Sequence, residues 1–101
     1  MQTQADGFKR VLEVLDLLEI PYQVVGSLAS SMHGIPRATM DVDLVADLHV
    51  DQIEEFTAEL KADFYADAEM IQEALARRRS FNLIHYASSF KFDIFPLQKD
   101  Q

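Results

Sequence analysis

Residues 39–46 alternate polar and apolar side chains, and this alternation constrains the fold more than any other feature of the chain. Successive side chains of a β-strand point to opposite faces, so the segment is predicted to be a strand with one polar and one apolar face. Val42 and Leu44 fall on the apolar face, and Asp41 and Asp43 fall on the other. A sheet that buries the first pair must leave two neighbouring carboxylates facing solvent or a cation.

The rest of the chain supplies elements that can pack around this strand. Apolar residues recur at helical spacing from Phe8 to Leu18 and predict a first helix. That helix should end near Glu19 or Ile20, because Pro21 cannot continue it. The further predicted elements are a strand at 22–25, helices at 28–33, 51–61 and about 66–78, a short strand or turn around Phe64, and a hairpin of strands at 81–86 and 90–95. We therefore expect an α/β (α+β) fold, a mixed β-sheet with flanking helices.

Composition excludes several classes of function. Nine basic residues against seventeen acidic ones give a net charge of −8, which argues against general nucleic-acid binding and against attraction to anionic membranes. A chain without cysteine has neither disulfides nor thiolate metal sites. Its apolar runs are shorter than a membrane span, and residues 1–8 lack the basic and apolar regions of a secretion signal. We expect one cytoplasmic domain with no membrane association.

The two carboxylates in the predicted strand 39–46 have two explanations. Asp41 and Asp43 would project side by side from an otherwise apolar segment. Carboxylate oxygens suit Mg²⁺, which prefers one or two carboxylates together with substrate phosphates. A solvent-exposed face of an edge strand accounts for the pair equally well.

A third carboxylate lies in the predicted strand 90–95. Asp93 shares its face with Lys91 and Phe95, whereas Phe92 and Ile94 occupy the other face. If this strand pairs beside strand 39–46, three carboxylates converge, and such a set can hold the two metal ions used in phosphoryl and nucleotidyl transfer. The alternative is a solvent-facing residue on a half-buried hairpin.

The turn after the predicted strand 22–25 is a candidate phosphate site. Gly26 and Ser27 would lie at the start of a helix, where free backbone N–H groups and the helix dipole favour an anion. Serine is also a common N-cap residue, which explains the pair without any ligand. Arg37 lies in the loop before the predicted strand 39–46. It could reach a phosphate, pair with Asp41 or Asp43, or lie in solvent.

Taken in order, these segments resemble the nucleotidyltransferase superfamily that includes DNA polymerase beta. The Arg-x-Thr-x-Asp-hydrophobic-Asp stretch is most similar to the AbiEii-type toxin nucleotidyltransferases. The resemblance extends from Val24 to Leu97, about three-quarters of the chain. It is carried by Val24-Val25-Gly26-Ser27, by Arg37-Ala38-Thr39-Met40-Asp41-Val42-Asp43-Leu44-Val45, and by Lys91-Phe92-Asp93-Ile94-Phe95.

The resemblance implies a minimal nucleotidyltransferase fold and a role for each matching residue. Gly26 and Ser27 match the motif that binds the nucleotide phosphates, and we add Arg37 as a candidate phosphate contact. Asp41, Asp43 and Asp93 match the catalytic and metal-binding carboxylates, with Mg²⁺ or Mn²⁺ as the ion. The implied reaction transfers a nucleoside monophosphate from an NTP to an acceptor hydroxyl and releases pyrophosphate.

The chain departs from the family pattern in two respects. The interval between Ser27 and Asp41 is longer than in minimal members, and the chain ends soon after Asp93, where members usually continue into a further segment. We therefore expect residues 1–101 to form one domain that lacks a C-terminal segment. The alternative function is a non-catalytic interaction module on the same fold, such as a component of a toxin–antitoxin pair, with a protein partner or a second copy of itself.

Overall fold

A five-stranded mixed sheet organises the residues that the computed structural model describes, 3–25 and 41–97. The helices are α1 (Gln4–Leu17), α2 (Ile53–Leu60, preceded by a 3₁₀ turn at Val50–Gln52) and α3 (Ala68–Ala76). The strands are β1 (Tyr22–Val25), β2 (Asp41–Ala46), β3 (Phe64–Tyr65), β4 (Phe81–His85) and β5 (Lys91–Pro96). The α+β class expected from the sequence is confirmed, and the predicted helix at 28–33 lies outside the described residues.

The strand order in the sheet is β1-β2-β5-β4-β3. Strands β2 and β5 run parallel, and every other neighbouring pair is antiparallel. Strand β5 therefore lies at the centre of the sheet, between β2 and its hairpin partner β4. This placement makes β5 the neighbour of β2, which is the condition for Asp93 to lie beside the carboxylates of β2.

The described helices pack against one face of the sheet and form a single core with it. The strand residues on this face include Val42, Leu44, Leu83, Phe92 and Ile94, each 4% exposed or less. The helices contribute Val11, Val14, Leu15, Phe56, Leu60 and Ile71, each also 4% exposed or less. The Phe8 and Phe92 rings stack with their centroids 6.1 Å apart, which fixes α1 over the centre of the sheet. Within the described ranges, no helix is long and apolar enough to cross a bilayer.

Helix α1 ends at Leu17, earlier than Pro21 alone predicts, because a Schellman motif closes it. The Ile20 N–H donates to the Leu15 carbonyl at 2.8 Å, and the Glu19 N–H donates to the Asp16 carbonyl at 3.0 Å. This turn requires a left-handed backbone at Glu19, where φ is 58°. Ile20 and Leu15 are both buried, so the reversal also completes the core.

Helix α3 ends in the same way, at Ala76 rather than near residue 78. The Arg79 N–H donates to the Ala74 carbonyl at 2.8 Å, and φ at Arg78 is 57°. Both helices thus place a long side chain at the position where glycine is usual.

Glycine at position 19 or 78 should stabilise the protein. Glu19→Gly and Arg78→Gly each remove the steric cost of a left-handed residue, about 1–2 kcal/mol. Part of this gain is lost because glycine makes the unfolded chain more flexible and so raises the entropy cost of folding. We expect a net gain of roughly 0.5 kcal/mol in the free energy of unfolding, measured by urea denaturation. Asp16→Gly, an exposed position inside α1, is the control and should lower stability by about 0.5–1 kcal/mol. If Glu19→Gly and Arg78→Gly both lowered the free energy of unfolding, this account of the helix ends would be contradicted.

A close contact between Gly7 and His85 sets the height of α1 above the sheet. A Cβ atom at Gly7 would lie 2.8 Å from His85 Cγ and 2.9 Å from its Nδ1. The imidazole is 1% exposed, its Nδ1 lies 2.7 Å from Ser88 Oγ, and the Phe64 ring centroid is 5.0 Å away. The ring is confined on several sides, and only glycine lets the helix backbone approach it this closely.

Gly7→Ala should therefore destabilise the protein even though alanine favours helices by about 1 kcal/mol. Overpacking of this kind costs typically 1–3 kcal/mol, which exceeds the propensity gain. Thermal melting of Gly7→Ala in the parent and in a His85→Ala background separates the two effects. In the second background the clash is absent, and the alanine should raise the melting temperature. Equal shifts in both backgrounds would show that His85 is not the obstacle.

Candidate functional site

Three polar side chains form a row across the centre of the sheet. The register pairs Asp43 on β2 with Asp93 on β5, and pairs Asp93 with Asn82 on β4. Paired residues on neighbouring strands share a face, so all three lie on the face opposite the helices. We refer to Asp43, Asp93 and Asn82 as the polar row.

Burial of the residues on either side keeps the polar row on this face. Val42 and Leu44 flank Asp43, Phe92 and Ile94 flank Asp93, and all four are 4% exposed or less. Because side chains alternate along a strand, burying these neighbours turns both carboxylates to the other side of the sheet. Both Asp43 and Asp93 are half-buried there.

The row places two like charges side by side. Neighbouring strands lie about 4.8 Å apart, and like charges directly opposite one another destabilise a sheet. Asn82 partly offsets this cost, because its side-chain Nδ2–H donates a hydrogen bond of 2.6 Å to Asp93 Oδ1. Lys91 stands on the same face of β5 as Asp93, two residues earlier, and brings a positive charge to the neighbourhood.

The structure brings together two of the six predicted site residues. Asp43 and Asp93 are register partners on adjacent parallel strands. Asp41 begins β2, two residues before Asp43, and its backbone pairs with Lys91 of β5. Its side chain lies outside the described part of the structure. Gly26, Ser27 and Arg37 also lie outside the described residues.

The two described carboxylates fit a magnesium ion in type and number. Mg²⁺ takes one or two protein carboxylates and completes its octahedron with water and substrate phosphates. Asp43 and Asp93 supply two hard oxygen donors on one half-buried face. In the described ranges, three or more His, Asp or Glu side chains do not gather into a metal-binding group. A third carboxylate at this site would have to come from a side chain that the structure does not describe, and Asp41 is the candidate.

Sequence reasoning missed Asn82, and a weak signal for it exists. Asparagine is depleted in strands, and Asn82 stands between Phe81 and Leu83, which are both buried. Such a residue stands out only once β4 is known to lie beside Asp93, because its importance comes from the cross-strand pair.

Comparisons with family models, with curated proteins and with solved structures found no match to this chain.

Metal binding at the polar row should appear as thermal stabilisation. Mn²⁺ or Mg²⁺ that binds only the folded state adds roughly 2.7 kcal/mol when its free concentration is a hundredfold above Kd. Asp43→Asn and Asp93→Asn should lose most of this shift in melting temperature, and metal-free Asp43→Asn should be at least as stable as the parent because a like-charge pair is removed. Asp16→Asn, an exposed acid on α1, should keep the full shift. A parent whose melting temperature does not change up to millimolar metal would contradict the site.

Proposed function

We propose that this protein is a metal-dependent nucleotidyltransferase, which moves a nucleoside monophosphate from an NTP to an acceptor hydroxyl with release of pyrophosphate. The observation that carries the proposal is the in-register pairing of Asp43 with Asp93 across two central parallel strands. The order of the three motifs between Val24 and Leu97, which resembles that superfamily, supports it further.

In this proposal the chain's residues divide the work of binding and catalysis. Asp43 and Asp93, with Asp41, hold the metal, and Asp93 accepts the proton of the attacking hydroxyl. Gly26 and Ser27 bind the β- and γ-phosphates through backbone N–H groups and a hydroxyl, and Arg37 contacts a phosphate. Bound Mg²⁺ would supply charge neutralisation for the triphosphate and lower the pKa of the acceptor hydroxyl.

The electrostatics of the site favour a requirement for a divalent cation. A triphosphate approaching Asp43 and Asp93 meets two carboxylates on a protein of net charge −8. Unscreened like charges about 4 Å apart repel by about 4 kcal/mol at an effective dielectric constant near 20. The nucleotide is therefore expected to bind as its metal complex and only weakly in the presence of a chelator.

A second candidate function rests on the apolar side chains that accompany the polar row. Tyr65, Ile84 and Phe95 lie on the same sheet face and are 42%, 36% and 40% exposed. Exposed apolar side chains that share one surface are a feature of protein–protein contacts. This observation favours a non-catalytic interaction module that binds a protein partner, such as the other member of a toxin–antitoxin pair, or a second copy of the chain.

The position of a radiolabel distinguishes nucleotidyl transfer from other phosphate chemistry. The purified chain is incubated with each of the four NTPs, Mg²⁺ and candidate acceptors, namely total RNA, protein extract or the chain itself. We expect label from α-³²P nucleotide to enter an acceptor and label from γ-³²P nucleotide to leave as pyrophosphate. Asp43→Asn and Asp93→Asn should lose at least a hundredfold in rate, of the order seen when a group acting in the transition state is removed.

The matched control is Asp16→Asn, which should retain the parent rate. Transfer of the γ label would indicate a kinase and contradict the proposal. Nucleotide-independent capture of one partner protein, with no α label transferred, would favour the interaction module instead.

A further inference from the structure

The hydrogen bond from Asn82 to Asp93 carries an inference that rests on the proposed metal site and extends it. We infer that Asn82 is a positioning residue, whose side-chain amide fixes the carboxylate of Asp93 for binding a divalent cation beside Asp43. The bond runs from Asn82 Nδ2 to Asp93 Oδ1 at 2.6 Å and is partly buried.

The location of Asp93 in the row explains how one bond can orient it. Asp93 stands on the central strand β5, with Asp43 on one side and Asn82 on the other. The amide holds Oδ1 toward β4, so rotation of the carboxylate about its side-chain torsions is restricted. In the part of the chain that the structure describes, the Asp93 side chain makes no other hydrogen bond or ion pair. The orientation of Asp93 there depends on Asn82.

The chemistry of an amide suits this position better than the alternatives. A lysine or arginine at position 82 would neutralise Asp93 and compete with a metal ion for it. An aspartate would add a third negative charge to the row, and an apolar residue would leave the carboxylate without an orienting donor. An amide donates a hydrogen bond and carries no net charge, so it orients Asp93 without neutralising it.

Residue 82 is also a costly place for asparagine on structural grounds alone. It lies inside β4, paired with Asp93 of β5, where valine, isoleucine and threonine are preferred. A partner that orients a metal ligand is worth typically 10–100-fold in metal affinity, which gives a functional reason for this residue.

Mn²⁺ binding to the metal-free protein tests the inference without any assay of activity. Isothermal titration of the full chain with Mn²⁺ should show that Asn82→Val, which keeps a strand-favouring residue but removes the donor, weakens binding roughly tenfold or more. Asn82→Gln keeps an amide within reach and should restore most of the affinity. Asn82→Lys should weaken binding the most, because its ammonium group takes the place of the cation at Asp93.

Two controls separate positioning from a structural role. Ile84→Ala, on the same face of β4, should leave the Mn²⁺ affinity unchanged. In an Asp93→Asn background, Asn82→Val should have no further effect, because the carboxylate that it orients is gone. The melting temperature of metal-free Asn82→Val should stay close to that of the parent, because the stronger strand preference of valine offsets the lost hydrogen bond.

The outcomes distinguish this inference from the proposed function. If the parent binds Mn²⁺ through Asp43 and Asp93 and Asn82→Val binds it equally well, Asn82 is not a positioning residue and the proposed function stands. If the parent does not bind Mn²⁺, the metal site and the inference are both overturned.

Discussion

The parallel pairing of β2 with β5 is the interaction on which the rest of the structure depends. On one face it aligns Val42 with Phe92 and Leu44 with Ile94 at the centre of the core. On the other face the same register aligns Asp43 with Asp93. A slip by one residue would expose the apolar side chains, so burial excludes it. A slip by two residues would preserve the core face and separate Asp43 from Asp93, with Asp43 taking the place of Asp41 opposite Lys91. The observed register keeps the like charges together, and such local conflicts are typical of functional sites.

Aromatic rings pack around Phe92 on the core side of the sheet, behind the polar row. Phe92, directly after Lys91 and before Asp93, contacts Phe8 at 6.1 Å, Phe64 at 5.9 Å and Phe90 at 5.2 Å between centroids. Contacts from a helix, an edge strand and the hairpin therefore converge on the residue next to Asp93. Well-packed interiors have little freedom to shift, so the ring contacts on the core side of the sheet restrict movement of the backbone at Asp93. A side chain that must be positioned precisely requires a rigid backbone of this kind.

The sequence predicted those features that depend on local pattern. Alternation assigned Asp43 and Asp93 to polar faces and Val42, Leu44, Phe92 and Ile94 to apolar ones, and their burial agrees. The parallel pairing and its register join residues far apart in the chain, so no local pattern specifies them. The helix ends were predicted too late, because Glu19 and Arg78 adopt a backbone conformation that glycine usually marks. Asn82 was missed because its importance arises only from the residue that it faces on β5.

The central position of β5 has a consequence for how the chain reaches this structure during synthesis. β5 is the last strand described, yet it separates β2 from β4. Until Lys91–Pro96 is available, β1–β2 and β3–β4 can form only two separate ribbons, each with an unpaired edge where β5 belongs. Such edges invite pairing with other chains, and the long-range contact that closes them is slow to form. The nascent protein is therefore vulnerable to aggregation until β5 has been released, and without β5 the two halves of this sheet would not be joined.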